Sequence, residues 1–112
     1  MWHKVCEIAA LAPASLTETT VNEIPVLVIN GKNRRLVIPR SCPHMSASLA
    51  EGVFDGQVLT CTKHLWQWSV DSGGTELGEA EAPLLCYETR ESDGVLWVKA
   101  ETPLVYEHER DE

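Results

Sequence analysis

Two short stretches, CPH at residues 42–44 and CTKH at residues 61–64, dominate this sequence. Each pairs one cysteine with one histidine at a short spacing, in a chain that contains only four cysteines and four histidines. Thiolates and imidazoles that lie this close in sequence are typical of metal sites. The repeated pairs therefore indicate a metal or metal-cluster site. The candidate ligands are Cys42, His44, Cys61 and His64.

The kind of metal site follows from how the ligands are paired. Two thiolates and two imidazoles satisfy either one tetrahedral zinc ion or a binuclear iron-sulfur cluster. Zinc fingers usually take two cysteines from one segment and two histidines from another. Here each stretch offers one cysteine and one histidine. This pairing suits a 2Fe-2S cluster in which one iron binds two thiolates and the other binds two imidazoles. Zinc stays open as an alternative, whereas a cysteine nucleophile lacks an orienting group at recognisable spacing.

Length and composition predict one globular domain. The chain has 112 residues, of which 44% are hydrophobic and 23% charged, as in ordinary globular proteins. No apolar run approaches the roughly 18 residues of a membrane span. The apolar stretch at residues 8–12 is too short for a secretory signal. We therefore expect a cytoplasmic protein with reduced thiols, and no membrane partner.

Charge is concentrated in the C-terminal part of the chain. Residues 71–112 carry twelve acidic and three basic side chains, whereas residues 1–70 carry five acidic and six basic side chains. This balance argues against nucleic acid as a partner and allows a basic protein surface. The acidic residues nearest the second Cys/His pair could form a docking rim, or they could only keep the chain soluble. They are Asp71, Glu76, Glu79 and Glu81.

Short β-type segments separated by turns dominate the pattern. The predicted strands cover residues 2–8, 17–21, 24–29, 35–40, 84–90 and 95–100. Asn30-Gly31 predicts a tight turn with positive φ between two of them, and Asp93-Gly94 predicts the tip of a second hairpin. The Gly-rich acidic stretch at residues 71–83 is predicted to be a loop.

These elements predict an all-β fold in a single domain, residues 1–112. We expect an antiparallel β base made from both ends of the chain, residues 1–40 and 70–112. A smaller β insert, residues 41–69, would carry the Cys/His pairs at its tips.

Several residues that could carry chemistry are assigned structural or solvated positions. Cys6 and Cys86 fall in predicted strands and are expected to be small buried apolar residues rather than ligands. Trp97 lies on an alternating strand and is expected in the core. His3 and His108 lie near the termini and are expected to be solvated.

The segment CPHMSASLAEGVFDGQVLTCTKHLWQW, residues 42–68, resembles the cluster-binding segment of Rieske proteins. The shared pattern is C-x-H, then sixteen residues, then C-x-x-H. The resemblance implies a Rieske-like antiparallel β sandwich base with a small cluster-binding β insert. It also implies one Rieske-type 2Fe-2S cluster, held by the four candidate ligands at the tip of the insert.

Within that family the chain most resembles the ferredoxin component of toluene-type diiron monooxygenases. The shared residues are CPH, L-x-E-G and T-C-x-x-H-L-W. Thr62 and Leu65 stand where ferredoxins of ring-hydroxylating dioxygenases more often have Pro and Gly. The resemblance implies a monomeric electron carrier, not an enzyme, between an NADH-dependent reductase and the hydroxylase of an aromatic or hydrocarbon monooxygenase.

Other functions remain open at this stage. A dioxygenase ferredoxin and the small subunit of a nitrite-reductase-type enzyme are alternatives within the family, and a zinc-stabilised structural β module is one outside it. Under the family interpretation, partners would dock transiently at the cluster tip, around His44 and His64. Pro43, Met45 and Leu65 would form the apolar centre of that face. Trp66 is expected to combine packing with partial exposure.

The chain also departs from high-potential Rieske proteins. Those proteins carry a disulfide between the cluster loops, and Ala47 and Lys63 stand at its positions here. They also place Ser and Tyr hydroxyls near the sulfurs, where this chain has Trp66 and Trp68. Fewer hydrogen bonds to sulfur predict a potential in the lower part of the Rieske range, which spans roughly −150 to +300 mV.

Overall fold

The protein is built from short antiparallel strands. The computed structural model describes residues 2–32, 34–40, 52–61, 66–78, 83–102 and 104. Within them the only helix is a single 3-10 turn, Ile8–Ala10. None of the described residues forms a helix long and apolar enough to cross a membrane. The strands are β1 His3–Glu7, β2 Ser15–Val21, β3 Ile24–Asn30, β4 Arg35–Pro39, β5 Val53–Phe54, β6 Val58–Thr60, β7 Gln67–Ser69, β8 Thr75–Leu77, β9 Glu88–Ser92 and β10 Val95–Lys99.

The described strands form three antiparallel sheets. The outer sheet has the order β1-β10-β9, the central sheet β2-β3-β4, and the four-stranded sheet β5-β6-β7-β8. In the outer sheet β1 pairs with β10, so the first and last described strands are neighbours. The prediction of an all-β, antiparallel fold is confirmed.

The central sheet is buried on both faces, which explains why β3 reads as a nearly continuous apolar run. Its side chains alternate between the two faces. Val26 and Val28 face the outer sheet, and Leu27 and Ile29 face the four-stranded sheet. The first core, between the central and outer sheets, contains Val21, Ile24, Val26, Val28, Val37, Tyr87, Leu96, Val98 and Ala100.

The second core lies between the central and four-stranded sheets. Its side chains are larger than those of the first core, and they include a thiol and an indole. It contains Leu27, Ile29, Leu36, Ile38, Leu59, Cys61, Trp68, Val70 and Leu84.

Two hairpins close through two-residue turns with positive φ at both positions, as the twist of the strands favours. Asp93 and Gly94 have φ of 52° and 75°, which confirms the predicted turn. Asn22 and Glu23, with φ of 51° and 65°, form a second such turn between β2 and β3. The sequence did not reveal that turn, because glutamate is not a residue that favours positive φ.

The predicted conformation of Asn30-Gly31 is wrong, although the hairpin that it joins is present. Gly31 does not have positive φ. It is required instead by close packing, since a Cβ there would lie 2.5 Å from the Arg34 carbonyl oxygen and 2.9 Å from Val70 Cγ1. The turn is held by the Gly31 N–H, which donates to the Arg34 carbonyl at 2.9 Å.

Two further strand predictions need correction. Part of the stretch predicted as a loop, Thr75–Leu77, forms β8 and pairs with β7. The strand expected at 84–90 begins only at Glu88. Thr75–Leu77 becomes a strand because pairing with β7 outweighs the local preferences of its residues. Among the described residues, the ladder between β9 and β10 begins only at the Glu88–Lys99 pair, and residues 84–87 are outside it.

Trp97 is not in the core. β10 alternates so that Leu96 and Val98 are fully buried and Trp97 is only half-buried on the opposite face. There it lines a groove of about 460 Å³ together with Trp2 and Arg90. The apolar sequence VLWVK gives both faces hydrophobic residues, so alternation alone could not identify the buried face.

Candidate cluster-binding site

Cys61 connects the candidate site to the second core. It directly follows the last residue of β6, Thr60. Only 4% of its surface is exposed, and it forms no disulfide. A buried free thiol at the end of a strand is held in place by the surrounding packing, and water has little access to it. This environment suits a cluster ligand, which must be both fixed and protected.

A backbone hydrogen bond closes the segment that follows Cys61. The Cys61 N–H donates to the Trp66 carbonyl oxygen at 2.8 Å. One step further along, Thr60 and Gln67 are paired across β6 and β7, and the Gln67 side-chain amide donates to the Thr60 hydroxyl at 3.2 Å. Cys61 and Trp66 are therefore fixed to each other by the backbone.

Two tryptophans support this part of the four-stranded sheet. Trp68 is completely buried, and its ring meets that of Trp66 edge to face, with centroids 6.3 Å apart. Trp66 is half-buried against the second core. The prediction that Trp66 combines packing with partial exposure is confirmed.

The opposite end of the four-stranded sheet is ordered by Asp55. Its carboxylate accepts hydrogen bonds from the Gln57 N–H at 2.9 Å and the Val58 N–H at 2.8 Å. These two bonds hold the pKa of Asp55 below its usual value, and the bond from Val58 has the larger effect. The adjoining Gly56 carbonyl accepts from the Lys32 N–H at 2.7 Å, which ties this turn to the central sheet.

Of the four candidate ligands, only Cys61 lies among the described residues. Cys42, His44 and His64 lie outside them, as do Pro43, Met45 and Leu65. Among the residues that the structure describes, no group of three or more Cys, His, Asp or Glu side chains comes together as a metal site. In the expected acidic rim, Asp71 and Glu76 are half-buried, and Glu79 and Glu81 lie outside the described residues.

The other two described cysteines, Cys6 and Cys86, are free and only half-buried. The Cys86 thiol donates to the Gly73 carbonyl at 3.4 Å and packs against the second core, whereas Cys6 packs against the first core. Burial raises the pKa of both thiols, and nearby cations partly offset that rise. Both thiols pack against a core as expected, but neither is fully buried, and Cys86 precedes β9 instead of lying within a strand.

His3 is not solvated as expected. Its side chain is 22% exposed, and its Nε2 lies 4.0 Å from a carboxylate oxygen of Glu101. His108 lies outside the described residues. Nothing in these contacts brings His3 near Cys61, because β1 belongs to the outer sheet.

The chain is an all-β domain in which Cys61, the first residue of the second Cys/His pair, is buried. Together with the spacing of the two pairs, this is typical of one class of iron-sulfur protein. The chain belongs to the Rieske [2Fe-2S] domain family, whose model matches residues 1–88. Its cofactor is therefore one Rieske-type 2Fe-2S cluster, and the zinc alternative is set aside. The donor set predicted from the sequence, two thiols and two imidazoles, would suit this cofactor.

Similar proteins narrow the class to ferredoxins. The chain is 43% identical over 112 residues to the methanesulfonate monooxygenase ferredoxin subunit of Methylosulfonomonas methylovora, covering 99% of this chain and 90% of that protein. It is 32% identical over 106 residues to the ferredoxin component of the alkene monooxygenase system of Xanthobacter autotrophicus, covering 94% of this chain and 85% of that protein.

A solved structure that contains a ferredoxin is also similar to this chain. The chain matches a chain in the complex of reduced oxygenase and oxidised ferredoxin of carbazole 1,9a-dioxygenase with a TM-score of 0.74 and 28% identity, covering 93% of this chain and 97% of that one. The protein is thus an electron-transfer ferredoxin of the Rieske class, rather than an enzyme. The predictions of family, cofactor and electron-carrier role are confirmed.

Proposed function

We propose that four side chains hold the cluster, with the two thiolates on one iron and the two imidazoles on the other. They are Cys42, His44, Cys61 and His64. The burial of Cys61 in the second core carries this assignment, because it means that the first residue of the CTKH segment is a fixed, protected thiol. Residues 41–69 would then act as the cluster-binding insert on a base of residues 1–40 and 70–112.

The ferredoxin would carry single electrons from an NADH-dependent reductase to the hydroxylase of a monooxygenase system. Two relatives that cover nearly the whole chain are ferredoxins of monooxygenase systems, which supports this branch. The cluster supplies one-electron redox chemistry. The polypeptide would hold the cluster and keep water from Cys61, and partners would approach from the side of His44 and His64.

A ring-hydroxylating dioxygenase system is the second candidate for the oxygenase partner. The similarity to the carbazole 1,9a-dioxygenase chain favours it, with its TM-score of 0.74. Both candidates predict a monomer in the cytoplasm whose partners dock transiently at the cluster tip. Transient electron-transfer contacts are small, below roughly 1,200 Å², so the carrier can leave after each transfer.

Metal analysis with a matched pair of cysteine variants tests the ligand assignment. We expect two irons and two sulfides per chain, and an EPR signal that appears only after one-electron reduction. Cys61→Ser should lose the cluster. Cys86→Ser should keep it, although Cys86 is also a free cysteine packed against the second core. A Cys61→Ser protein with full iron and sulfide would contradict the assignment.

Reconstituted turnover tests the choice of partner. The ferredoxin is mixed with a reductase and with the hydroxylase of either a monooxygenase or a dioxygenase, and NADH-driven product formation is measured. Turnover with the monooxygenase alone supports the first candidate, and turnover with the dioxygenase alone supports the second. Reduction of the cluster without transfer to either enzyme would contradict both.

A further inference from the structure

Arg40 stands where the central sheet meets the first ligand segment. β4 ends at Pro39, and Cys42 follows two residues after Arg40. The Arg40 side chain folds back over the sheet. Its Nε donates to the Val26 carbonyl at 3.1 Å, and its Nη2 donates to the Thr19 carbonyl at 2.6 Å.

The two acceptors lie opposite each other in neighbouring strands. Thr19 in β2 pairs with Val26 in β3. One side chain attached at the end of β4 therefore bridges both other strands of the central sheet. A guanidinium is planar and always charged, and it presents its N–H groups in a fixed fork, so two such bonds define its orientation. The Glu18 carboxylate, 3.6 Å from Nε, adds an exposed ion pair.

The two ligand segments are attached to the sheets in different ways. The ends of residues 62–65 are joined by a backbone bond from Cys61 to Trp66, which almost any sequence could make. Arg40, the residue before the first segment, is held by its side chain in addition to the backbone pairing of Pro39 with Val26. The side-chain part of this attachment depends on the identity of one residue.

We propose that Arg40 is a positioning residue for the first ligand segment. It fixes the point at which residues 41–51 leave the central sheet, and so it sets where Cys42 and His44 stand relative to Cys61. This inference rests on the ligand assignment proposed above. Arg40 itself neither ligates iron nor carries an electron.

Arg35 provides a matched control on the same strand. It is the first residue of β4, and its Nη1 lies 2.9 Å from a carboxylate oxygen of Glu91. Its side chain is 28% exposed, compared with 31% for Arg40. Arg35→Lys and Arg40→Lys both keep the positive charge and lose the guanidinium fork. Only the second variant changes the attachment of a ligand segment.

The experiment measures iron release to a chelator, the EPR g values of the reduced cluster, and its midpoint potential. We expect Arg40→Lys to release iron roughly tenfold faster, as the loss of a charged hydrogen bond implies, with altered g values and a shifted potential. Arg35→Lys should stay within about twofold of the unmodified protein, with an unchanged spectrum. Glu18→Gln, which keeps both carbonyl bonds, should also resemble the unmodified protein.

Each other outcome overturns a particular statement. Arg40→Lys matching Arg35→Lys in all three measurements overturns the positioning role, and Glu18→Gln reproducing the effect would assign it to charge instead. An Arg40→Lys chain that also loses amide protection in β10 shows that Arg40 only stabilises the whole fold. An unmodified protein without iron and sulfide overturns the proposed function itself.

Discussion

The two faces of the central sheet bury side chains from the same strands, yet they support different parts of the molecule. The first core joins the sheet to the outer sheet through mainly aliphatic residues, and the hydroxyl of its tyrosine, Tyr87, accepts a hydrogen bond from the Leu104 N–H at 2.8 Å. The second core joins the sheet to the four-stranded sheet and contains Cys61. One face thus closes the fold, and the other positions a proposed cluster ligand.

This difference implies that cluster and fold are coupled unequally. A change at the cluster would reach the second core directly through Cys61, because that residue is both a proposed ligand and a packed core residue. It would reach the first core only through the backbone of the central sheet. The following predictions test this asymmetry.

Removal of the cluster should have the largest effect. Chelation in the presence of a reductant should increase amide exchange in β6 and β7 by orders of magnitude, since metal binding contributes directly to the stability of small metal-bound segments. Exchange in β10 and β1 should change much less. Hydrogen exchange followed by mass spectrometry measures both regions together. Equal loss of protection in the two regions would show that the cores are not separable.

Truncation of the largest fully buried side chain in each core should separate stability from cluster retention. Trp68→Ala should destabilise the protein by about 3–5 kcal/mol and Leu96→Ala by about 2–5 kcal/mol, because both side chains are fully buried. Only Trp68→Ala should also accelerate iron loss. Denaturant unfolding and chelator kinetics provide the two measurements. Faster iron loss from Leu96→Ala would count against the asymmetry.

A methyl group added at the edge of the second core should destabilise the protein less than the truncation of Trp68. In Gly31→Ala the new Cβ would press on the Arg34 carbonyl and on Val70, and we expect a loss of about 1–3 kcal/mol from overpacking. Gly94→Ala in the outer hairpin meets nothing within 4 Å but has φ of 75°, so it should lose about 1 kcal/mol from backbone strain alone. Only Gly31→Ala should alter the Val70 methyl signals in NMR spectra.

The smallest effect concerns pH. Backbone hydrogen bonds lower the pKa of Asp55 from 3.8, so its contribution to stability is present above that value and disappears as the pH falls through the lower folded pKa. Asp55→Asn should therefore remove a small part of the acid dependence of unfolding. Denaturant midpoints between pH 2 and 6 provide the test. An unchanged profile would show that the turn does not depend on the charge.

The sequence revealed β3 and β4 because strands buried on both faces appear as long β-branched runs bounded by turn residues. It could not reveal β8, since Thr75–Leu77 is short and polar and becomes a strand only by pairing with β7. Trp97 was misplaced because β10 is apolar on both faces, and the choice between them depends on how the sheets pack.

The ligand set of the candidate site was predictable from the sequence, whereas its attachment to the sheets was not. The Cys/His spacing indicated the ligand set, and the burial of Cys61 agrees with it. The contacts of Arg40 were not predictable, because they join residues of three strands whose register is set only in the folded sheet. The sequence signal for Arg40 was limited to its place between a strand and the CPH motif.

The alternation of β3 has a consequence for protein engineering. Positions 26 and 28 contact only the core that closes the fold, whereas positions 27 and 29 contact the core that contains Cys61. Substitutions at positions 27 and 29 would vary the polarity and volume behind the cluster, and substitutions at positions 26 and 28 would compensate any lost stability. A library built on one seven-residue strand could therefore tune the redox properties of the ferredoxin and its thermal tolerance as nearly independent traits.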